Sequence, residues 1–347
     1  MTASAQTSAS PHRPVVRRRS PLPLLIVLLA VAAAGAASIG AVSIPFPDML
    51  SGNLSDQQEA VLLGIRLPRV LLAVVVGAGL AVSGAALQGL FRNPLADPGL
   101  IGIASGAALA VAMVIVLAGP LTGLFGLYGL AVAAFCGGVG TCILIFRITR
   151  MSGAFSVTYM LLSGIAINAI AMAGTGFMTY LSDDQQLRAL TFWTMGSLGG
   201  ALWPAVIVVA TVVVPAILVL IRNAGEINIL LLGEEEARHL GVDSDRLKLI
   251  IVLCAAFSVG AAVAVSGIIG FVGLVVPHLV RLTIGPDHRL LIPASAVLGG
   301  ILLVVADTFA RILVAPAEMP VGILTSMIGG PFFLWLLFKQ YSGRFGL

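Results

Sequence analysis

Residues 62–87 read LLGIRLPRVLLAVVVGAGLAVSGAAL, and this stretch decides the class of fold. An apolar helix of about 20 residues crosses the hydrocarbon layer of a membrane, which is ~30 Å thick. The stretch exceeds that length and is rich in Ala, Val, Leu and Gly. It lacks the alternation of polar and apolar residues that a transmembrane β-barrel strand requires. It therefore predicts a membrane-spanning helix.

The rest of the chain repeats this pattern. Of its 347 residues, 59% are hydrophobic and 10% are charged, and the mean hydropathy is +1.09. A soluble globular fold of this composition would expose apolar side chains on every face. We predict an all-α polytopic membrane protein with one transmembrane domain over residues 21–347. The eighth span is short and contains Pro277, so nine or eleven helices also fit. The ten predicted spans are residues 22–44, 62–87, 100–119, 124–147, 155–181, 203–222, 247–268, 270–283, 290–312 and 321–339.

Residues 1–20 form a separate basic tail that precedes the first span. The tail contains Ser, Thr and Pro and the cluster Arg17, Arg18 and Arg19. This composition predicts disorder and a position near anionic lipid headgroups. The basic cluster followed by an apolar run also fits a signal peptide. The run is long enough to span a membrane and no cleavage site stands out, so we interpret it as the first helix.

The basic residues indicate how the chain is oriented, because Lys and Arg are retained on the cytoplasmic side of a membrane. With the N-terminus inside, the 19 Lys and Arg residues all fall inside except Arg66, Arg69, Arg188 and Arg311. This distribution predicts an inner-membrane protein with both termini in the cytoplasm. The net charge of +4 follows from the same bias and does not indicate a nucleic-acid partner.

The cysteines and histidines indicate no cofactor or metal site in this chain. Cys136, Cys142 and Cys254 all lie within predicted spans, and the first two are not on one helical face. They fit small packing residues better than a disulfide. The four histidines are scattered, without a pair at metal-binding helical spacing.

The connection LQGLFRNPLADPGLIG at 87–102 places polar residues and two prolines between two apolar spans. Small residues at spacings of three and four allow helix backbones to approach closely, and irregular backbone at membrane depth must face protein or a watery cavity. We therefore predict a packed structural re-entry rather than a loose loop. The residues assigned to it are Ser83, Gly84, Gln88, Asn93, Pro94 and Pro98.

A short sequence recurs in the two halves of the chain. AVSG at 81–84 precedes Pro94 by ten residues, and AVSG at 264–267 precedes Pro277 by ten residues. The first copy lies on a span predicted to run inward and the second on a span predicted to run outward. This arrangement predicts an inverted-topology internal repeat.

Five long motifs after residue 45 carry a family resemblance. They are RLPR at 66–69, SGAALQGLFRNPLADPGLIGIASGA at 83–107, GFVGLVVPHLVR at 270–281, DHRLLIPASAVLGG at 287–300, and ADTFAR at 306–311 followed by EMPVGILTSMIGGPFFLWLL at 318–337. The chain resembles FecCD-type permeases, the membrane subunits of ABC importers for iron-siderophores and cobalamin. The leading tail lies outside the resemblance.

The resemblance implies both partners and a substrate class. A second permease, identical or homologous, is expected, together with two cytoplasmic ATPase subunits and an external substrate-binding protein. ATP and Mg²⁺ are expected to bind the ATPase, since no GxxxxGK[ST] phosphate loop occurs in this chain. The expected cargo is a ferric siderophore. Cobalamin and haem remain open, because the shared motifs do not separate them.

The segment 223–246, NAGEINILLLGEEEARHLGVDSDR, is the largest predicted cytoplasmic connection. Its pattern predicts a short amphipathic helix closed by a glycine. The resemblance implies that this helix docks in a cleft of the ATPase and couples hydrolysis to transport. A solvated interhelical loop is the alternative. The coupling residues assigned here are Glu234, Glu235, Glu236, Ala237, Arg238, Leu240 and Gly241.

Three predicted external arginines, Arg66, Arg69 and Arg311, depart from the charge bias. The resemblance implies that they receive carboxylates from the binding protein, a task that suits the guanidinium fork. Anchoring at lipid headgroups is the alternative. Asp307 precedes Arg311 by four residues and is expected to pair with it on the helix.

The resemblance also implies that the fifth and tenth spans line the translocation path. Small polar and thioether groups on these spans fit a path of low affinity, although packing explains the methionines equally well. The assigned residues are Met160, Ser163, Asn168, Met172, Thr175, Thr325 and Ser326, with Met178 and Thr179 on the same span.

Two other classes of membrane protein fit less well. An ion-coupled secondary transporter also shows inverted repeats, but it ordinarily needs a carboxylate within the membrane, and no Asp or Glu falls in the middle of a predicted span. A channel would require neither the Glu-rich cytoplasmic segment nor the external arginines.

Overall fold

The computed structural model describes residues 21–40, 42–118, 122–151 and 156–345, which are helical apart from their connections. The basic tail at 1–20 lies outside the described residues. The helices are α1 (Leu22–Ser38), α2 (Phe46–Ser51), α3 (Asp56–Val61), α4 (Leu67–Leu90), α5 (Ile103–Leu117), α6 (Thr122–Arg150), α7 (Val157–Leu181), α8 (Asp184–Met195), α9 (Trp203–Arg222), α10 (Ala224–Leu230), α11 (Glu234–His239), α12 (Ser244–Ser266), α13 (Val272–Thr283), α14 (His288–Ile312) and α15 (Val321–Phe345).

Each of the ten predicted spans coincides with a helix. Six helices in the described part of the chain are long and apolar enough to cross a membrane, and four shorter apolar helices occupy the remaining positions. The second span is longer than predicted, because α3, a π-helical turn at Leu62–Arg66 and α4 run on as one helical stretch from Asp56 to Leu90. The all-helical membrane fold is confirmed.

The structure changes the description of the first and the eighth predicted spans. α1 ends at Ser38 rather than at residue 44, and α2 follows after a short connection. α13 has 12 residues, so at 1.5 Å per residue it extends about 18 Å and does not cross the hydrocarbon layer alone. It is short because residues 267–271 leave the helical conformation, with Gly267 and Phe271 both at positive φ.

α4 lies at the centre of the bundle, and 83% of the residues in its most apolar stretch are buried inside the protein. It packs against α14, α12, α9 and α13. Glycines allow two of these contacts: a Cβ on Gly77 would overlap the carbonyl oxygen of Gly299 in α14, and a Cβ on Gly84 would overlap that of Gly273 in α13. Without side chains at these positions the helix backbones touch directly, as small-residue packing in membranes requires.

α7 and α9 lie at the periphery of the bundle. Only 17% and 28% of the residues in their most apolar stretches are buried inside the protein. Their exposed side chains are large and apolar, for example Ile170 and Phe177 on α7 and Ile207 on α9. Exposure of this apolar surface to water would be unfavourable, so lipid or another membrane subunit must cover it.

The two AVSG sequences adopt different local structures. The first lies within α4, which continues for six residues beyond Gly84, whereas the second ends α12 at Ser266 and Gly267. Sequence similarity at this motif therefore does not extend to local conformation. The inverted repeat stays a prediction.

The contact between α4 and α13 gives a test of the fold. The substitution Gly84→Ala should lower the thermal unfolding midpoint, because the new methyl group must displace α13 backbone, and overpacking of this kind costs about 1–3 kcal/mol. Gly140→Ala on α6 is the matched control, since a Cβ there meets no atom within 4 Å and alanine improves helix propensity. Equal midpoints for the two variants in the same detergent would contradict the packing described.

Candidate functional site

Arg69 lies at the centre of an ion-pair cluster at one end of the bundle. Its Nε is 2.9 Å from Oδ2 of Asp307, and its Nη1 is 2.9 Å from Oε2 of Glu318. The Arg69 and Asp307 side chains are 7% and 3% exposed, whereas the Glu318 side chain is 51% exposed. The cluster thus joins α4, α14 and the connection before α15, with Glu318 as its solvent-facing member.

Arg311 completes the cluster from within α14. Its Nε lies 3.3 Å from Oδ2 of Asp307, one helical turn earlier, so the predicted pair at i, i+4 is confirmed. Asp307 therefore lies between two guanidinium groups. A carboxylate this deeply buried is tolerated only when it is paired and hydrogen-bonded.

Arg66 and Arg311 also cap the C-terminal end of α1. Nη1 of Arg66 donates to the carbonyl oxygens of Ala37 and Ser38, at 2.8 and 2.9 Å, and Nη2 of Arg311 donates to that of Ala36 at 3.1 Å. The last carbonyls of a helix have no partner within it, and the helix dipole favours a cation there. The two arginines therefore satisfy the end of the first membrane helix.

The structure brings the three predicted docking arginines together, with Arg66 and Arg69 buried and Arg311 half-buried. Arg66 and Arg69 are 4% and 6% exposed, and both bind groups of their own chain. This corrects the expectation of an accessible basic rim, because the protein supplies its own acceptors. Glu318 was not predicted as a site residue. Its position directly before the tenth span, next to the arginine-bearing end of the ninth, was the available signal.

The predicted cytoplasmic segment contains two helices, α10 and α11. Gly241 has φ +84° and ends α11, as the predicted glycine closure requires. Ala237 is fully buried, whereas Glu235, Glu236 and Leu240 are exposed. The segment therefore presents a surface with both acidic and apolar side chains. Leu232 and Arg238 are exposed beside them.

A buried lysine fixes α11 to the membrane domain. Nζ of Lys248 on α12 lies 2.6 Å from Oε2 of Glu234 and 3.7 Å from Oδ1 of Asp245. The Lys248 side chain is 2% exposed, so its ammonium group depends on these carboxylates. Glu234 is thus an anchor of the segment rather than part of its free surface.

Asn228 fixes α10 to the beginning of α14. Its Nδ2 donates to Oδ1 of Asp287 at 2.6 Å, and its Oδ1 accepts from the backbone N–H of His288 at 2.9 Å. The pKa of Asp287 is held below its ordinary value, first because the backbone N–H of Arg289 donates to the carboxylate and also because Asn228 does. The ionised carboxylate caps α14, so the cytoplasmic segment and α14 share one hydrogen-bonded junction.

Gln88 links the two irregular parts of the backbone. Its Nε2 donates to the carbonyl oxygens of Ala96 and Gly273, at 3.2 and 3.3 Å, and its Oε1 accepts from Arg281. Gln88 is 2% exposed. One amide thus satisfies the connection after α4 and the backbone of α13 at the same time.

The predicted re-entry at 83–98 is only partly correct. Ser83, Gly84 and Gln88 lie on the unbroken helix α4, whereas Asn93 and Pro94 lie in an exposed turn. Pro98 is buried and opens the 3₁₀ turn Pro98–Ile101, which Asp97 caps through the backbone N–H of Gly99 at 2.7 Å.

Irregular backbone enters the packed interior instead at residues 267–271. A Cβ on Gly267 would overlap the carbonyl oxygen of Trp193, and a Cβ on Gly196 would overlap that of Ile268. The break is therefore enclosed by protein, as irregular backbone at membrane depth must be. The pair Gly267 and Gly270 was the sequence signal for it.

The predicted path residues do not share one environment. Met160 and Thr325 are buried in the core. Asn168 holds the connection before α5, because its Nδ2 donates to the carbonyl oxygen of Gly99 at 3.1 Å and its Oδ1 accepts from Ser105. In this conformation these three side chains support the fold of the subunit.

The other path residues lie closer to the surface. Met172 on α7 and Ser326 on α15 are exposed, and Ser163 and Thr175 are half-buried. Oγ1 of Thr175 donates to the carbonyl oxygen of Ala171 at 2.9 Å. The exposed positions face outward from this single subunit, so a translocation path along them would have to be closed on its other side by another protein surface.

Comparisons with known proteins agree with this architecture. The FecCD transport family matches residues 24–339. The hemin transport permease HmuU of Yersinia pestis is 51% identical over 331 residues, which cover 95% of this chain and 99% of HmuU. The cobalamin import permease BtuC of Halobacterium salinarum is 43% identical over 86% of this chain and 78% of its own length. A solved inward-facing structure of a metal-chelate type ABC transporter superposes with a TM-score of 0.83 at 34% identity, covering 92% of this chain and 98% of that one.

The ion-pair cluster predicts that substitutions of Arg69 and of Glu318 lower the stability of the protein by different amounts. Arg69→Gln should destabilise the protein by about 1.5–3 kcal/mol, because it removes a charged hydrogen-bond partner of the buried Asp307 and leaves Arg311 as its remaining cation. Glu318→Gln, the matched control in the same cluster, should cost about 0.2–1 kcal/mol, because that carboxylate is half-exposed. Thermal unfolding of both variants measures the difference, and similar losses would show that burial does not decide the strength of these pairs.

Proposed function

The chain belongs to the FecCD transport family, and from this membership we propose that it is the membrane permease of an ABC importer that carries hemin into the cytoplasm. The observation that carries the hemin assignment is the 51% identity to HmuU over 99% of that permease. Cobalamin is the second candidate, because BtuC permeases of several organisms are 38–43% identical. A ferric siderophore, the cargo expected from the shared motifs, is the third.

We assign the remaining components of the importer to partners. Two cytoplasmic ATPase subunits bind ATP and Mg²⁺, an external binding protein delivers the cargo, and a second permease, identical or homologous, completes the membrane part. The exposed apolar surfaces of α7 and α15 support a second membrane subunit, since they are the helices expected to line the path. The transporter resides in the inner membrane, with both termini of this chain in the cytoplasm.

In this proposal α10 and α11 couple ATP hydrolysis to transport. Glu235, Glu236 and Leu240 are exposed and form the ATPase-facing surface. Lys248 and Asn228 hold the segment against α12 and α14, so a displacement of the segment is passed to the membrane helices. A loop without such anchors would move independently of them.

We retain the proposal that Arg66, Arg69 and Arg311 form the docking site for the binding protein, with one change that concerns Glu318. Arg69 already binds Glu318, whose side chain is half-exposed. An incoming carboxylate of the binding protein therefore has to displace Glu318 from Arg69, an exchange of one charge-assisted hydrogen bond for another. Exchange costs less than the burial of a new unpaired charge.

The cargo assignment predicts a ranking of transport rates. The permease reconstituted with its ATPase and binding protein should accumulate labelled hemin in vesicles in an ATP-dependent manner, and at least tenfold faster than labelled cobalamin or ferric siderophore. The same complex without its binding protein is the control. Faster uptake of cobalamin or of ferric siderophore would reject hemin as the cargo while retaining the importer assignment.

The coupling assignment predicts loss of uptake without loss of folding. Reversing both exposed acids, Glu235→Lys with Glu236→Lys, should reduce ATP-dependent uptake at least tenfold, because like charges at a protein contact cost several kcal/mol. The matched control reverses two exposed acids of α3, Asp56→Lys with Glu59→Lys, and should leave the ATPase bound and its basal hydrolysis unchanged. Normal uptake in the first variant at equal expression would remove the coupling assignment.

A further inference from the structure

A groove of about 470 Å³ lies between α6 and α12, at the ends of these helices that are predicted to face the cytoplasm. Most of the wall that the described residues form is apolar, and two arginines are the only charged side chains among these residues. The lining comes from α6 and the residue after it, between Cys142 and Met151, and from Leu249, Val252 and Leu253 on α12.

The two arginines lie in the last turn of α6, and both are exposed. Within the described ranges neither Arg147 nor Arg150 has a carboxylate within ion-pair distance. The guanidinium of Arg150 lies 5.6 Å from the centre of the Phe146 ring, a cation–π contact that holds it over the groove. The opening of the groove therefore carries positive charge that no carboxylate of the described residues neutralises.

The length of the groove can be compared with the thickness of one leaflet of a membrane. The α6 residues that line it run from Cys142 to Arg150, which at 1.5 Å per residue is about 12 Å along the helix. Half of the hydrocarbon layer is about 15 Å. The apolar part of this wall, from Cys142 to Phe146, is about 6 Å long, so it can contact the part of an acyl chain nearest the headgroup, and the arginines continue the groove towards the predicted cytoplasmic surface.

Retention of basic residues on the cytoplasmic side explains the charge of these arginines but not the groove beneath them. Arg222, at the end of α9, illustrates the difference, since it is exposed in the last turn of a membrane helix but lines none of this groove. Basic pockets between membrane helices on the cytoplasmic side favour anionic lipid headgroups.

We propose that this groove binds an anionic phospholipid of the cytoplasmic leaflet. The lipid phosphate accepts hydrogen bonds from Arg147 and Arg150, and an acyl chain lies against Ile143, Leu249 and Leu253. The proposal relies on the predicted orientation of the chain but not on the identity of the cargo. A bound lipid here fills the space between α6 and α12.

The test measures lipid binding to the assembled transporter in detergent by native mass spectrometry. Dioctanoyl phosphatidylglycerol should bind, whereas dioctanoyl phosphatidylcholine, which has the same chains and no net charge, should bind at least tenfold more weakly. The double variant Arg147→Gln with Arg150→Gln should lose about tenfold to thirtyfold in affinity for phosphatidylglycerol. Arg222→Gln, which removes one exposed cytoplasmic arginine elsewhere, should retain wild-type affinity.

A second variant tests the apolar part of the groove. Leu253→Trp keeps both arginines and fills the space, so it should also weaken phosphatidylglycerol binding, while its thermal midpoint without lipid stays near that of the wild type. Equal binding of the two lipids, an equal loss in Arg222→Gln, or competition by inorganic phosphate alone would overturn the proposal. Absence of phosphatidylglycerol binding to the wild-type complex, as expected if another subunit covers the groove, would overturn it too.

Discussion

Hydrocarbon offers no hydrogen-bonding partner, so each polar group that the chain carries into the membrane must find one within the protein. The structure depends on this constraint at three places. Arg66 and Arg311 satisfy the last carbonyls of α1, and Gln88 binds backbone carbonyls of the connection after α4 and of α13. Asp307 is held between two guanidinium groups. Because most of these partners lie on different helices, as Arg69 and Asp307 do, the bonds that satisfy the polar groups also fix how the helices are arranged.

α4 and α14 connect the two ends of the molecule. The ends predicted to face outward carry Arg69 and Asp307, and the opposite end of α14 carries the junction with Asn228. Between these ends the backbones touch at Gly77 and Gly299, where neither helix has a side chain that could yield. The two helices are therefore constrained to move together. The region proposed for binding-protein docking and the segment proposed for ATPase coupling lie on one mechanically continuous pair.

The sequence predicted the membrane helices well because their signal is local. An apolar run of about 20 residues has few alternatives to a spanning helix, and α9 was predicted with its exact observed ends, residues 203–222. The arginine cluster was predicted only as a set of residues. Its burial depends on Glu318, which is 249 positions away from Arg69 in the chain, and on the end of α1. The periodicity of apolar residues along one helix does not predict a pairing between residues so far apart in the chain. The break at 267–271 was predicted only as the boundary between two spans, because its enclosure by α8 is a long-range contact.

The arginine cluster is better suited to switching than to stabilising. A buried ion pair gains little net stability over an apolar contact of the same size, because removing both charges from water costs nearly as much as their attraction returns. Breaking it is costly only when one charge is left without a partner. Glu318 is half-exposed, so it can leave Arg69 and regain water, whereas Asp307, 3% exposed, cannot. The cluster therefore has one fixed acid that holds α4 on α14 and one replaceable acid at the surface, and a carboxylate from outside can take the second position without disturbing the first.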